Sequence, residues 1–319
     1  MGAIEEKAPI IGVIGAGAWG SALADAFARK GLSVTLWARH DKSFKYPSQN
    51  VKNTLDPIEV ARANIILMAV PTQVTRQVCA VFETLIKPHT HMIACAKGIE
   101  QTTGLYITDV ISQALPHVQP ALLSGPGFAE DVIAGLPTAV TLAATDVKCA
   151  EQLAKILSSS HLRLYHTDDV RGVEIGGAAK NVFAIAAGIV SGKGFGESAK
   201  AALIARGFAE LIRYATASGV QTQTLIGLSG LGDLILTCNS EKSRNYALGL
   251  ALGSGQPLEN ASSGKLVEGV YTASILHHKA QQLGVEMPIV AAVEAVLSRK
   301  MHIDEAVRML MSRPQRSEF

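Results

Sequence analysis

Apolar and polar positions follow two regimes along the chain. Up to about residue 170, short β-branched runs alternate with stretches of helical period. Residues 10–14, 32–37, 64–70, 91–96, 120–124 and 138–143 read as strands, and the Ala-rich 21–30 reads as a helix stopped by Gly31. Strands separated by helices predict an α/β unit with a mostly parallel, doubly wound sheet. Beyond that point strand signals nearly vanish. Residues 173–190, 198–218, 240–253, 267–283, 288–299 and 303–311 carry helical periodicity, with Gly219 and Gly284 as stops and Pro288 as a start. The expectation is a dinucleotide-binding domain over 1–170 and an all-α domain over 171–319, with one glycine-rich linker at 192–196.

The first strand runs into Gly15-Ala16-Gly17-Ala18-Trp19-Gly20. Gly15, Gly17 and Gly20 have the spacing of the G-x-G-x-x-G turn. Its first glycine makes the tight turn, its second lets backbone approach a pyrophosphate, and its third lets helix and strand pack closely. The helix that follows, with Ala18 and Trp19 in its opening turn, offers N-terminal amides to phosphate. An acid at the end of the second strand would accept the ribose hydroxyls of NAD, but Arg39, His40 and Lys42 stand there. A basic cluster suits the 2′-phosphate of NADP, since guanidinium grips phosphate with paired N–H bonds. The same residues also fit a solvated basic turn, so NADP is favoured and NAD stays open.

A net charge of +2 argues against a nucleic-acid surface or a polybasic membrane anchor. Cys79, Cys95, Cys149 and Cys238 are widely spaced and lack a metal-type grouping, which suits reduced thiols in the cytoplasm. The apolar run 182–190 is shorter than the roughly 20 residues of a membrane span. Glu5 and Glu6 do not fit a secretory signal.

Two lysines and one carboxylate carry the candidate chemistry. Lys97 follows the apolar run 92–96, at the carboxyl end of a strand, where parallel sheets bind ligands; a solvated strand-end lysine reads the same way. Lys180 sits in an apolar helix behind Gly176 and Gly177, which cost roughly 1 kcal/mol each in a helix interior. That cost makes sense where another backbone or a ligand approaches closely. A lysine there has a tunable proton affinity, as carbonyl reduction requires, although a snorkelling lysine also fits. Asp233 leaves a glycine-rich turn at 227–232 and enters an apolar helix. Arg244 and Asn245 follow, able to clasp an anion; taken singly, Asp233 reads as a helix N-cap and Arg244 as a surface charge.

In this order IGAGAWGSALA (14–24), AVPTQ (69–73), AKGIE (96–100), SGPGFA (124–129), EIGGAAKNVFAIAAGI (174–189), ALIARGFAE (202–210), GLSGLGDLILTC (227–238), SRN (243–245) and LVEGVYTA (266–273) closely resemble the bacterial-type NAD(P)-dependent glycerol-3-phosphate dehydrogenases. The resemblance implies reversible reduction of dihydroxyacetone phosphate to sn-glycerol 3-phosphate, feeding glycerophospholipid synthesis, by a homodimer. It makes Lys180 the acid/base at the C2 oxygen, Lys97 a substrate ligand and Asp233 an orienting group. It adds Gly125, Ser243, Arg244 and Asn245 as substrate contacts, with position 127 in the same motif. For the cofactor it implies Trp19, Arg39, Lys97, Ala129, Arg244, Leu266 and Glu268. Two departures stand out. Residues 41–51 abbreviate a longer family segment, and Gly127 replaces the usual Ser or Thr. A keto-acid reductase or a non-catalytic NADP-binding sensor would share the fingerprint. The joint presence of Lys97, Lys180 and Asp233 argues against the sensor.

Overall fold

The computed structural model describes residues 9–41, 49–261, 266–314 and 317. Lys42 and most of the abbreviated segment lie outside the described residues. The chain clusters into two compact units, Met1–Glu174 and Ile175–Phe319.

The first unit is built on eight strands: β1 (Ile11–Ile14), β2 (Val34–Trp37), β3 (Val51–Thr54), β4 (Ile65–Met68), β5 (His91–Ala94), β6 (Gln119–Ser124), β7 (Thr138–Ala143) and β8 (Leu162–Thr167). Their order is β3-β2-β1-β4-β5-β6-β7-β8, and every neighbouring pair is parallel except β6 with β7. The sequence reading missed β3 and β8. Both are sheet edges, and both turn residues outward: β3 has no fully buried residue, and β8 alternates buried and exposed positions over its first half. An edge strand needs less apolar pattern than a central one. Helices α1 (Ala18–Arg29), α2 (Pro57–Ala61), α3 (Thr72–Phe82), α4 (Ile107–Ala114), α5 (Ala129–Ile133) and α6 (Val147–Leu157) connect them. Two apolar clusters fill this unit. One, around Val13, Leu23, Phe27 and Leu67, takes in α1 and α6. The other, around Ile14, Phe82, Met92 and Ile111, takes in α3 and α4.

Helix α7 (Val170–Gly192) carries the chain from one unit to the next. Its first turn belongs to the first unit. Val173 joins the core there, and Glu174 Oε1 accepts from the Thr108 amide (2.9 Å) and hydroxyl (2.8 Å). These contacts put the division after Glu174 rather than at 170. Burial pushes the Glu174 carboxyl up to about 7, against the opposing pull of Arg171 and the two Thr108 donors. At 23 residues α7 is far longer than its apolar stretch suggested, and by length and composition it matches a membrane span. Its whole apolar window is buried within the fold, as in a core helix.

The second unit continues with α8 (Glu197–Ala217), α9 (Thr222–Ile226), a π-type turn at Leu228–Gly232, α10 (Asp233–Cys238), α11 (Arg244–Gly253), α12 (Leu258–Ala261), α13 (Glu268–Gln282), α14 (Pro288–Leu297) and α15 (Ile303–Met311). Glycines let α7 and α11 touch: a Cβ at Gly249 would fall onto the Ile185 carbonyl, and one at Gly188 onto that of Tyr246. The family of structures expected from the hydropathy pattern, an α/β unit followed by a helical one, is the architecture observed.

Candidate active site

In the first unit, the carboxyl end of β1 opens between β2 and β4, where the strand order reverses. Gly15 has φ +109°, and a Cβ there would stand 2.8 Å from the Ala69 carbonyl oxygen. A Cβ on Gly20 would fall onto the Gly15 carbonyl oxygen. Gly17 is different. Nothing among the described residues lies within 4 Å of where its Cβ would be, and both Gly17 and Ala18 are exposed. Gly17 is the N-cap of α1, with extended backbone and no side-chain cap among the described residues. Two positions are closed by backbone and one is open in front of helix amides, which fits a dinucleotide diphosphate.

Trp19 is half-buried, and its ring covers Gly127. A Cβ at 127 would meet Trp19 Cη2 at 3.1 Å and Thr138 Cγ2 at 3.3 Å. A side chain at 127 would need the indole and the Thr138 methyl to give by a few tenths of an ångström. Gly125 (φ +144°) is pressed against Val140, 2.9 Å from where a Cβ would stand, and its carbonyl accepts from Lys97 Nζ at 2.8 Å. Lys97 is thus directed onto the loop after β6. Ala129 opens α5, and Arg39 and His40 are exposed just beyond β2.

In the second unit Lys180 is 7% exposed, in the middle of α7. Its ammonium donates to Asp233 Oδ1 at 2.5 Å and to Thr237 Oγ1 at 2.7 Å, and the Thr237 hydroxyl donates to the same Asp233 oxygen at 3.2 Å. Asp233 and Thr237 lie one turn apart on α10, on one face of the helix. The glycine cost in α7 is explained at Gly176, where a Cβ would come within 2.9 Å of the Ser229 carbonyl. The close approach is by the π-type turn that leads into Asp233. Burial raises the neighbouring Cys238 thiol to about 12, so it stays protonated.

Asn181, next to Lys180, accepts at Oδ1 from Asn245 Nδ2 (2.9 Å), and Asn245 Oδ1 accepts from the Gly269 amide (2.9 Å). Helix α11 opens at Arg244, later than the expected 240, because Ser243 is its cap: Ser243 Oγ accepts from the Tyr246 amide at 3.2 Å. Arg244 is exposed and donates to the Leu266 carbonyl at 3.0 Å; Glu268 starts α13 nearby in sequence. The structure therefore joins Lys97 with Gly125, Trp19 with Gly127, Lys180 with Asp233, and Arg244 with Leu266. Sequence reasoning missed Thr237 and Asn181. The available signal for Thr237 was its position four residues after Asp233; Asn181 is linked to Asn245 only through the fold.

The family model described as NAD-dependent glycerol-3-phosphate dehydrogenase N-terminus matches residues 10–150, and its C-terminal counterpart matches 169–308. A glycerol-3-phosphate dehydrogenase [NAD(P)+] of Azorhizobium caulinodans is 54% identical over 97% of this chain and 98% of its own length. One from Rhodopseudomonas palustris is 50% identical with the same coverage. The crystal structure of the Coxiella burnetii glycerol-3-phosphate dehydrogenase superposes with a TM-score of 0.88 at 35% identity, covering 96% of this chain and 99% of that one. With its glycine turn, its paired lysine and carboxylate and these likenesses along nearly its whole length, the chain belongs to the NAD-dependent glycerol-3-phosphate dehydrogenase family.

Proposed function

We propose that the chain catalyses the reversible NAD(P)H-dependent reduction of dihydroxyacetone phosphate to sn-glycerol 3-phosphate, the entry to glycerophospholipid synthesis. The observation that carries this reading is the buried Lys180–Asp233–Thr237 cluster. An ammonium held by a carboxylate and a hydroxyl is a proton donor of fixed position, as a developing C2 alkoxide requires. When bound, the nicotinamide supplies the hydride. Lys180 gives the proton to the C2 oxygen and takes it back in the reverse direction. Asp233 and Thr237 orient it, and Lys97 adds a second ammonium to stabilise the developing charge.

Gly15, Gly17, Ala18 and Gly20 receive the diphosphate of the cofactor, and Trp19, Lys97, Ala129, Arg244, Leu266 and Glu268 are its further contacts. Arg39, with His40, selects the 2′-phosphate and hence NADPH over NADH. Arg244 makes the charged contact to the substrate phosphate. The Asn245 carboxamide is engaged by Asn181 and Gly269, so its share comes from the first-turn amide of α11, where helix amides lack internal acceptors. Gly125, Gly127 and Ser243 shape the substrate's surroundings. The reading extends to a homodimer, as the resemblance implies, and to the cytoplasm, which four free thiols suit.

The test follows NADPH oxidation with dihydroxyacetone phosphate and with unphosphorylated dihydroxyacetone, in wild type and Arg244→Ala. Turnover of the phosphate ester is expected, with KM raised about tenfold or more by the substitution, because a bond to a charged group is worth roughly 1.5–3 kcal/mol. The unphosphorylated ketone should be indifferent to it. Preference for a keto acid over the phosphate ester would overturn the reading. Equal losses for both ketones would move the phosphate site away from Arg244.

A further inference from the structure

We propose that Gln73 is a positioning residue for Lys97, holding the lysine-bearing loop by two hydrogen bonds to its backbone; the inference rests on the assignment of Lys97 to the substrate site. Sheet pairing along β5 ends at Ala94, with Cys95 N donating to the Met68 carbonyl (3.0 Å) as the last ladder-like bond. Lys97 comes two residues later, and Gly98, Ile99 and Glu100 are buried behind it. Ile99 forms an isolated antiparallel bridge with Tyr106, and Glu100 N donates to the Leu105 carbonyl at 2.9 Å, while the Ile99 carbonyl and the Gln101 amide need partners from elsewhere.

Helix α3 provides them. Gln73, in its first turn, donates from Nε2 to the Ile99 carbonyl at 2.8 Å and accepts at Oε1 from the Gln101 amide at 2.9 Å. One turn further, Arg76 forks onto Glu100 (Nε–Oε1 2.9 Å, Nη2–Oε2 2.8 Å), and this pairing holds the Glu100 carboxyl below the usual range. Thr103 Oγ1 donates to the same carboxylate at 2.5 Å. Residues 99–101 are thus fixed from α3 as well as by the bridge to Tyr106, while the lysine's far end is fixed on the Gly125 carbonyl. Gly98 alone separates the two anchored parts.

A lysine has four side-chain torsions, so its ammonium stays in one place only if its Cα does too. Gln73 suits the task because a carboxamide satisfies a backbone carbonyl and a backbone amide at once. Arg76 and Glu100 brace the side chains of the loop; Gln73 braces its main chain.

A double-mutant cycle on the full chain tests this, reading kcat and KM for dihydroxyacetone phosphate with saturating NADPH. Gln73→Leu should lower kcat/KM about tenfold, the scale of two lost hydrogen bonds. Lys97→Ala should lower it further. The double variant should be no worse than Lys97→Ala alone, because the brace acts only through the lysine. A general loss of structure would instead multiply the two effects. Multiplied losses, or a Gln73→Leu protein with wild-type kcat/KM, would overturn the positioning role while leaving the Lys97 assignment standing. Wild-type turnover in Lys97→Ala would overturn that assignment itself. If Gln73→Leu does not fold, Gln73→Glu replaces it in the same cycle, since it keeps the acceptor for Gln101 and loses the donor to Ile99; the same outcomes decide.

Discussion

The glycine turn after β1 and the lysine cluster on α7 use opposite materials. At the turn, the working groups are backbone amides, and the side chains matter by being absent. Gly20 has no room for one, and Gly17 leaves the front of α1 open. At the cluster, the working groups are side chains that hold one another: Lys180 meets Asp233 across 53 residues of chain and Thr237 across 57. A backbone site is written in consecutive residues, because turn geometry is local. A side-chain site is assembled from separate helices, and each member is unremarkable until the helices pack.

The sharpest way to break this contrast is Lys180→Ala. Turnover should fall by about a thousandfold or more, in the range general acid–base catalysis supplies. NADPH affinity, read by fluorescence titration, should change less than twofold, because the turn is backbone and lies in the other unit. A comparable rate with an unchanged pH–rate profile would remove Lys180 from the chemistry.

Gly20→Ala attacks the other side of the contrast with a single methyl group. Its Cβ would fall onto the Gly15 carbonyl, so backbone must shift, at a cost of about 1–3 kcal/mol. Melting temperature and NADPH affinity should drop together. A variant that melts and binds like wild type would show that the turn tolerates a side chain.

Glu210 is an intermediate case and carries the smallest expected effect on activity. This buried carboxylate on α8 accepts from the first amides of α14, Ile289 (2.7 Å) and Val290 (3.3 Å), so a side chain holds backbone. Burial pushes it up to about 7, outweighing those amides and the more distant Arg213 and Arg313. In the unfolded chain it titrates near 4.3. Between these values the native state binds the extra proton, so stability falls as pH rises from about 4.3 to about 7 and is level with respect to this group on either side. Glu210→Gln should flatten that slope, which amounts to at most about 3–4 kcal/mol across the interval. Chemical denaturation at several pH values reads it; an unchanged slope would mean that the carboxyl ionises in the fold as it does in the unfolded chain.

Most of the central sheet was legible, because buried parallel strands must be apolar in unbroken runs and helices between them must be amphipathic. The edges were not. β3 (Val-Lys-Asn-Thr) and the outer positions of β8 face outward and carry no such pattern. In the second unit, α7 was read as shorter than it is, since its first turn answers to the core of the first unit rather than to its own periodicity. That Ser243 also caps α11 and that the Asn245 side chain bridges Asn181 and Gly269 could not be read from their neighbours in sequence.

By itself the sequence determined the glycine turn, the change from an alternating to a helical half, and the basic end of β2. Each depends on neighbours within a few residues, where sterics and period leave little choice. Only tertiary structure decided that Thr237 shares Asp233 with Lys180, that Gly176 is small for the sake of Ser229, that Trp19 covers Gly127, and that Gln73 ties down the loop of Lys97. These pairings depend on distances between elements far apart in the chain. Such distances are set by how helices and sheet pack, and no local pattern records them.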